Sequence, residues 1–243
     1  MDQLRDHEAL VFAGEMYGVQ LDQLAAVRDV TLERARAIAA SWRQQGYAES
    51  GRLGPGASWV WLTRKGLNAC GLGYTATPPA LSRLAHIRAV TQVRLTLQRT
   101  GTYSDANPFW RSERRIRSNH GVGIRQHLPD AEVHWPDEAE LAWAGECWAI
   151  EAELTRKTVA RTAAIMRELL TRTGDYGCPA ADAFVPGRPP RHARALYLCS
   201  PVALATVARA RDDLGAALAA RVEIRALPAA QPERTGPAKQ ATP

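Results

Sequence analysis

Along the first seventy residues, apolar side chains recur at helical spacing and then switch to the spacing of strands. Leu10, Val11, Phe12 and Met16 predict a helix over residues 7–18 that stops at Gly18, and Leu21, Leu24 and Val27 predict a short second one over 19–27. Thr31 can cap a third helix over 32–45. Its apolar stripe is Leu32, Ala35, Ile38, Ala39 and Trp42, and its opposite face carries Arg34, Arg36, Ser41 and Arg43 or Gln44. Two short strands around Gly51-Arg52-Leu53-Gly54-Pro55-Gly56 predict a hairpin. The paired prolines Pro78-Pro79 halt helix and strand alike, so a second domain starts near them.

Beyond that link a long helix is expected over 81–98, with Leu84, Ile87, Val90 or Thr91, Leu95 and Leu97 facing a core. Asp105-Ala106-Asn107-Pro108 turns the chain into 109–117. Residues 122–133 read as strand, turn, strand, 136–146 as a polar hairpin turn, and 147–154 as a further strand. A helix over 156–171, capped by Thr155, would bury Val159, Ala163, Met166, Leu169 and Leu170. A strand over 193–199, a helix over 202–220 and a last strand over 222–227 complete the pattern of a mixed α/β sheet with helices on both sides. Residues 228–243, rich in Pro, Ala and Gln, read as a disordered tail.

Composition narrows the function. A chain of 243 residues with 46% apolar side chains holds one large domain or two modest ones. It lacks the apolar run of ~20 residues that would cross a membrane and a hydrophobic signal core, so a cytoplasmic protein is expected. Four scattered cysteines without a Cys-x-x-Cys pair read as reduced, buried thiols. No glycine-rich phosphate loop is present, which argues against a nucleotide cofactor. Charge is more telling by position than by its net value of +6: residues 129–153 hold eight acids and no Lys or Arg. The flanking segments 76–128 and 154–172 hold nine bases against two acids and five against one. An acidic island between basic flanks suggests a divalent cation beside a polyanion.

Within that island, strand periodicity puts Glu151 and Glu153 on one face, with Trp148, Ile150 and Ala152 on the other. Asp130 follows a proline at the head of a strand, and Lys157 and Arg161 stand one turn apart near the end of the Glu151/Glu153 strand. Carboxylates in this number suit Mg²⁺ or Mn²⁺. His127 and His134 flank Asp130 but are not assigned to the metal. Most tryptophans read as core, with Trp110 and Trp135 the two candidates for base stacking.

Pro129-Asp130 followed by Glu151-Ala152-Glu153 resembles the PD-(D/E)XK nuclease superfamily. The resemblance implies Asp130 and Glu151 as metal ligands, Glu113 as an additional acid and Asp130, Glu151, Glu153 and Lys157 as the catalytic set. Position 153 is Glu where the pattern has Lys, and Lys157 is the basic residue placed to substitute. Upstream, three helices and a hairpin ending in Trp61-Leu62-Thr63-Arg64-Lys65-Gly66-Leu67 resemble a winged helix-turn-helix. That likeness implies double-stranded DNA contacted by Arg34, Arg36, Arg43, Arg52, Arg64 and Lys65. Over residues 7–227 the order of motifs, through His127-Leu128-Pro129-Asp130 and Leu196-Tyr197-Leu198-Cys199, resembles the replication-relaxation family of mobile-element proteins.

The expected fold class is therefore α/β (α+β). A winged helix-turn-helix over 1–75 is joined by a linker, 76–82, to a mixed-sheet nuclease-like domain over 83–227, with the tail 228–243 after it. The expected function is that of a DNA-binding protein of a plasmid or integrative element with a metal-dependent endonuclease-like domain. The alternative is a non-catalytic transcription or replication regulator that keeps an inactive nuclease fold. A homodimer is left open, and no membrane partner is expected.

Overall fold

The computed structural model describes residues 2–99, 108–120, 126–137, 142–176 and 187–227. The turn expected at Asp105-Ala106-Asn107, the strand expected from Val122 to Arg125, the acids Glu138 and Glu140, Cys178 and the tail 228–243 lie outside these residues. The fold is mixed α/β and divides into two compact units, Met1–Gln92 and Val93–Pro228.

In the first unit, α1 (Asp2–Glu15) is followed by β1 (Val19–Gln20), α2 (Leu21–Arg28), α3 (Leu32–Gln44), β2 (Ala48–Gly51), β3 (Trp59–Leu62) and α4 (Arg64–Ala69). The strands form an antiparallel sheet in the order β1-β3-β2. β1 falls where a helix was expected. Tyr17 and Gly18 adopt positive φ (63° and 131°), which ends α1 and leaves Val19 extended opposite Val60. The buried Gln20 then secures the β2–β3 loop, its amide donating to the carbonyls of Pro55 (3.0 Å) and Ala57 (2.9 Å).

α3 follows its sequence pattern closely. Thr31 Oγ1 accepts from the Arg34 amide at 3.3 Å, and Ala35, Ile38, Ala39 and Trp42 are buried. Gly66 explains the small residue at the strand-to-helix step. A Cβ there would lie 2.0 Å from the Tyr47 carbonyl oxygen, so β3 can turn into α4 only with glycine at that position. The start of α5 (Leu84–Arg99) is held by a bidentate pair from Arg88 to Asp22 (2.6 and 3.0 Å) and by Gln23 donating to the Arg88 carbonyl (2.9 Å).

The second unit is built on a five-stranded sheet in the order β4-β5-β6-β7-β8. The strands are β4 (Phe109–Ser112), β5 (Ala131–His134), β6 (Cys147–Glu153), β7 (Arg194–Cys199) and β8 (Val222–Ala226). The first three run antiparallel and the last three parallel. The parallel β6–β7 step needs a crossover, supplied by α7 (Val159–Thr171). α8 (Pro201–Asp212) and the short α9 (Ala216–Ala219) precede β8. α6 (Glu113–His120) links β4 to the approach to β5.

Three boundaries differ from the sequence pattern. β4 is a strand of its own before α6, its apolar alternation being only four residues long. α7 begins at Val159, because Thr158 rather than Thr155 caps it by accepting from the Arg161 amide at 3.2 Å. The helix expected over 202–220 breaks at Gly215, where φ is 82°.

β6 is buried on both faces. Ala149 shares its face with Ala195, Tyr197 and Cys199 of β7, against Met166, Leu169 and Leu170 of α7 and Ala203, Val207 and Ala210 of α8. The same face carries Glu151 and Glu153, both buried, so the two glutamates are not solvated as acids on a surface strand would be. On the other face Trp148 packs edge-on against Trp135, with ring centroids 5.3 Å apart. Trp110 and Trp135, the stacking candidates, are both buried.

Candidate functional site

One face of the sheet carries two groups of acids, of which Glu132, Glu151 and Glu153 are buried, and their surroundings differ. Glu132 on β5 sits opposite Ala149, on the face covered by α7. It is fully buried, and its two oxygens are saturated. Oε1 accepts from Arg191 Nε (2.6 Å) and Tyr176 Oη (3.1 Å) and lies 2.9 Å from His192 Nε2. Oε2 accepts from Arg111 Nη1 (3.0 Å) and Arg191 Nη2 (3.1 Å). Burial would raise this carboxyl's pKa, but contacts with His134, His192 and Arg191 and the charge of Arg191 reverse the effect and hold it well below the usual carboxylate range.

Glu132 also belongs, with His134 and Cys147, to a trio whose ligand atoms lie within 4.8 Å of one another. A carboxylate, an imidazole and a thiol are donors of the kind transition metals take. Here burial pushes the Cys147 thiol up to about 12, and the guanidinium groups of Arg111 and Arg191 already balance Glu132. A cation at this point would compete with both.

The second group gathers at the head of β5 and along β6. The pairing of Ala131 with Ile150 brings Asp130 opposite Glu151, and Asp130 Oδ2 accepts from the Ala152 amide at 2.8 Å. Glu151 is 3% exposed. Burial, with the neighbouring charge of Asp130, pushes its carboxyl up to about 7 against the pull of His127 and Lys157. His127 Nε2 lies 2.7 Å from Glu151 Oε1. Burial would lower the pKa of His127, but the charge and hydrogen bond of Glu151 outweigh this and raise it.

Tyr197 on β7 is the cross-strand partner of Glu151 and is fully buried. Its hydroxyl has no hydrogen-bond partner among the described residues. Burial, then the charges of Glu151, Glu153 and Asp130, raise its pKa well above the ordinary phenol value, so the hydroxyl stays protonated beside the three acids.

Glu153 accepts the Lys157 ammonium. Lys157 stands in the segment before α7 rather than on the helix, two residues ahead of its first residue. Glu113 opens α6, its amide donating to the Asp130 carbonyl at 3.0 Å, while its carboxylate accepts from Arg117 at 2.6 Å. The fold thus gathers Asp130, Glu151, Glu153 and Lys157, with Glu113 joined to Asp130 through the main chain. His127, which flanks Asp130 in sequence, was not assigned to the group, and Tyr197 was not expected there. A lone histidine carries no periodic signal, and Tyr197 reads from sequence only as one more residue of an apolar, buried strand.

In the first unit Arg34, Arg36 and Arg43 on α3 and Arg52 in the β2–β3 loop are exposed. Arg64 and Lys65 are exposed as well, but each also serves the fold. Arg64 donates to the Tyr74 carbonyl at 3.1 Å and Lys65 to that of Gln45 at 2.8 Å, with the ammonium 5.0 Å from the centre of the Tyr47 ring. Comparisons with protein-family models, with curated proteins and with solved structures find no match to the chain.

Proposed function

We propose that the protein binds double-stranded DNA through its first unit and hydrolyses phosphodiesters at the Asp130/Glu151/Glu153 group with the help of Mg²⁺ or Mn²⁺. The observation that carries this reading is the contrast between the two buried acid groups. Glu132 is matched by two arginines, whereas Glu151, equally removed from water, has Asp130 opposite it and His127 as its hydrogen-bond partner, and burial pushes its carboxyl up. A buried carboxylate with a second acid set opposite it suits a cation supplied from outside.

Among the described residues the ligand atoms of Asp130, Glu151 and Glu153 do not group within 4.8 Å as those of Glu132, His134 and Cys147 do, so the ion is assigned to the pair Asp130 and Glu151, which stand opposite each other on β5 and β6. Asp130 and Glu151 offer hard oxygen donors, and Tyr197, whose hydroxyl has no partner among the described residues, is the cross-strand neighbour of Glu151. Asp130 and Glu151 would hold the cation, which when bound supplies Lewis acidity to the phosphate and lowers the pKa of the attacking water. Lys157, folded back on Glu153, brings a positive charge beside the acids, where it would orient the scissile phosphate. The likeness of residues 129–153 to the PD-(D/E)XK pattern supports the same assignment. So does the presence of a base in the position of Lys157, although the residue at 153 is acidic.

Three helices, an antiparallel three-stranded sheet and a hairpin loop bearing Arg52 support a winged helix-turn-helix for the first unit. The outer arginines of α3 would enter the major groove. The likeness to the replication-relaxation family suggests DNA of plasmids or integrative elements as the partner. A second reading, a DNA-binding regulator that keeps an inactive nuclease fold, draws on Glu153, which holds the Lys157 ammonium to itself.

One experiment tests both readings. Supercoiled and linear DNA are incubated with the protein and Mg²⁺ or Mn²⁺, while binding is followed across a salt series. Salt-sensitive binding with cleavage that disappears in Asp130→Ala and Glu151→Ala is the expected outcome. Binding without cleavage above those controls assigns the chain to the non-catalytic reading. Binding that ignores salt overturns the DNA interface.

A further inference from the structure

We propose that the outer edge of β8 docks a second copy of this chain, which pairs antiparallel to it about a two-fold axis at Ile224. The inference is independent of the DNA and metal readings above.

β8 is the last strand of the five-stranded sheet, and among the described residues its only strand partner is β7. The ladder fixes which of its main-chain groups are used. The Arg221 carbonyl accepts from the Ala195 amide at 3.0 Å and the Leu227 amide donates to the Cys199 carbonyl at 2.9 Å, so the odd-numbered residues of β8 turn their N–H and C=O groups towards β7. Val222, Ile224 and Ala226 therefore turn theirs outward. Donors and acceptors in this order are a template for another strand.

The side chains select the strand that fits. Val222 and Ile224 share one face of β8 and pack with the core under α7 and α8. Glu223 and Arg225 stand on the other face, as an ion pair in which both side chains are partly exposed. An antiparallel copy centred on Ile224 sets Ile224 against Ile224 and Val222 against Ala226, in hydrogen-bonded pairs that together make about six main-chain bonds. Between them, Glu223 of each copy stands opposite Arg225 of the other, at the non-hydrogen-bonded positions where side chains approach most closely. Each carboxylate then has one guanidinium beside it on its own strand and a second across the joint.

Neighbouring registers lose this match. A centre at Glu223 sets the two glutamates against each other and Arg221 against Arg225, and a centre at Arg225 opposes the two arginines. Charges on a sheet edge discourage arbitrary pairing. Here they leave one register open to one partner, the chain itself.

The test uses the full chain without DNA. Sedimentation velocity from about 1 to 100 µM should show monomer converting to dimer as concentration rises. Glu223→Arg and Arg225→Glu each set like charges against each other in the joint, and each should weaken the dimer by about tenfold or more. Mixed in equal amounts, the two variants should form a heterodimer, because one copy then offers two bases and the other two acids. The doubly exchanged chain, Glu223→Arg with Arg225→Glu, should dimerise like wild type. Circular dichroism and urea midpoints check that all variants are folded.

A wild-type chain that stays monomeric over this range overturns the inference. A dimer that neither single variant weakens places the joint elsewhere on the chain and overturns it too. Folded, monomeric single variants that do not associate when mixed overturn it as well.

Discussion

Replacing Glu151 by Gln should make the metal-free protein more stable at neutral and alkaline pH. The Glu151 carboxyl titrates at about 7 in the fold against an ordinary value of 4.5. Below 4.5 the group is protonated in both folded and unfolded chains, and its burial carries no ionic penalty. Above 4.5 the unfolded chain releases the proton first, so the folded state binds more protons and stability falls as pH rises, until the folded group has also ionised above 7. A rise of that size corresponds to on the order of 3 kcal/mol at most, shared with the hydrogen-bonded His127. Glutamine has nearly the shape of the protonated acid and no charge to lose, so it escapes this decline. Urea unfolding of both proteins with chelator present, followed by tryptophan fluorescence at several pH values, reads the difference directly. The two curves should coincide near pH 4.5, and the variant should lead by ~1–3 kcal/mol at about pH 8. A variant that is no more stable at that pH, or a gap that does not change with pH, refutes the view that Glu151 is buried without adequate compensation.

Two further outcomes follow. Glu132→Ala should destabilise the second unit by ~3–5 kcal/mol, because it removes the fully buried carboxylate shared by Arg111, Arg191, Tyr176 and His192; denaturation midpoints check this, and a loss under ~1 kcal/mol would mean that these donors find other partners. Gly66→Ala should unfold the first unit while the second keeps its own transition, since the new methyl group meets the Tyr47 carbonyl at 2.0 Å; native-like resistance of residues 1–92 to proteolysis in that variant would contradict the clash.

How much of this was legible in the sequence depends on the range of the forces involved. α3 was readable because its cap and its stripe of Ala35, Ile38, Ala39 and Trp42 are local, each set by residues within four positions of the next. The alternation in β6 was readable for the same reason. β1 was hidden, because only two residues are extended and their pairing with β3 is settled some forty residues later. The start of α7 was misplaced by three residues because Thr155 and Thr158 are equally good caps by composition, and tertiary context chose the second. Among the site residues, the acids could be gathered from periodicity and from a family pattern. The partners that decide their chemistry could not. Arg111, Tyr176, Arg191 and His192 reach Glu132 from up to sixty positions away, and Tyr197 meets Glu151 only through the β6–β7 register.

That difference in partners separates the two acid groups more sharply than burial does. Glu132 and Glu151 lie on one face of one sheet, both nearly inaccessible to water, and a count of acidic residues would rank them alike. The fold surrounds Glu132 with donors until its carboxyl is held ionised far below the ordinary range, which makes it a fixed internal anion that ties β4, β5 and the segment before β7 together. It surrounds Glu151 with a second acid, one histidine, a lysine already engaged by Glu153 and a phenol with no acceptor among the described residues. A structural carboxylate gains by being satisfied, whereas one that binds a cation must remain short of positive charge until the ion arrives. The cost of that burial, on the order of 3 kcal/mol at most, is what a bound cation would offset. The position of Lys157 fits the same requirement: paired with Glu153, it lies near enough to lower the Glu151 carboxyl but not to neutralise it.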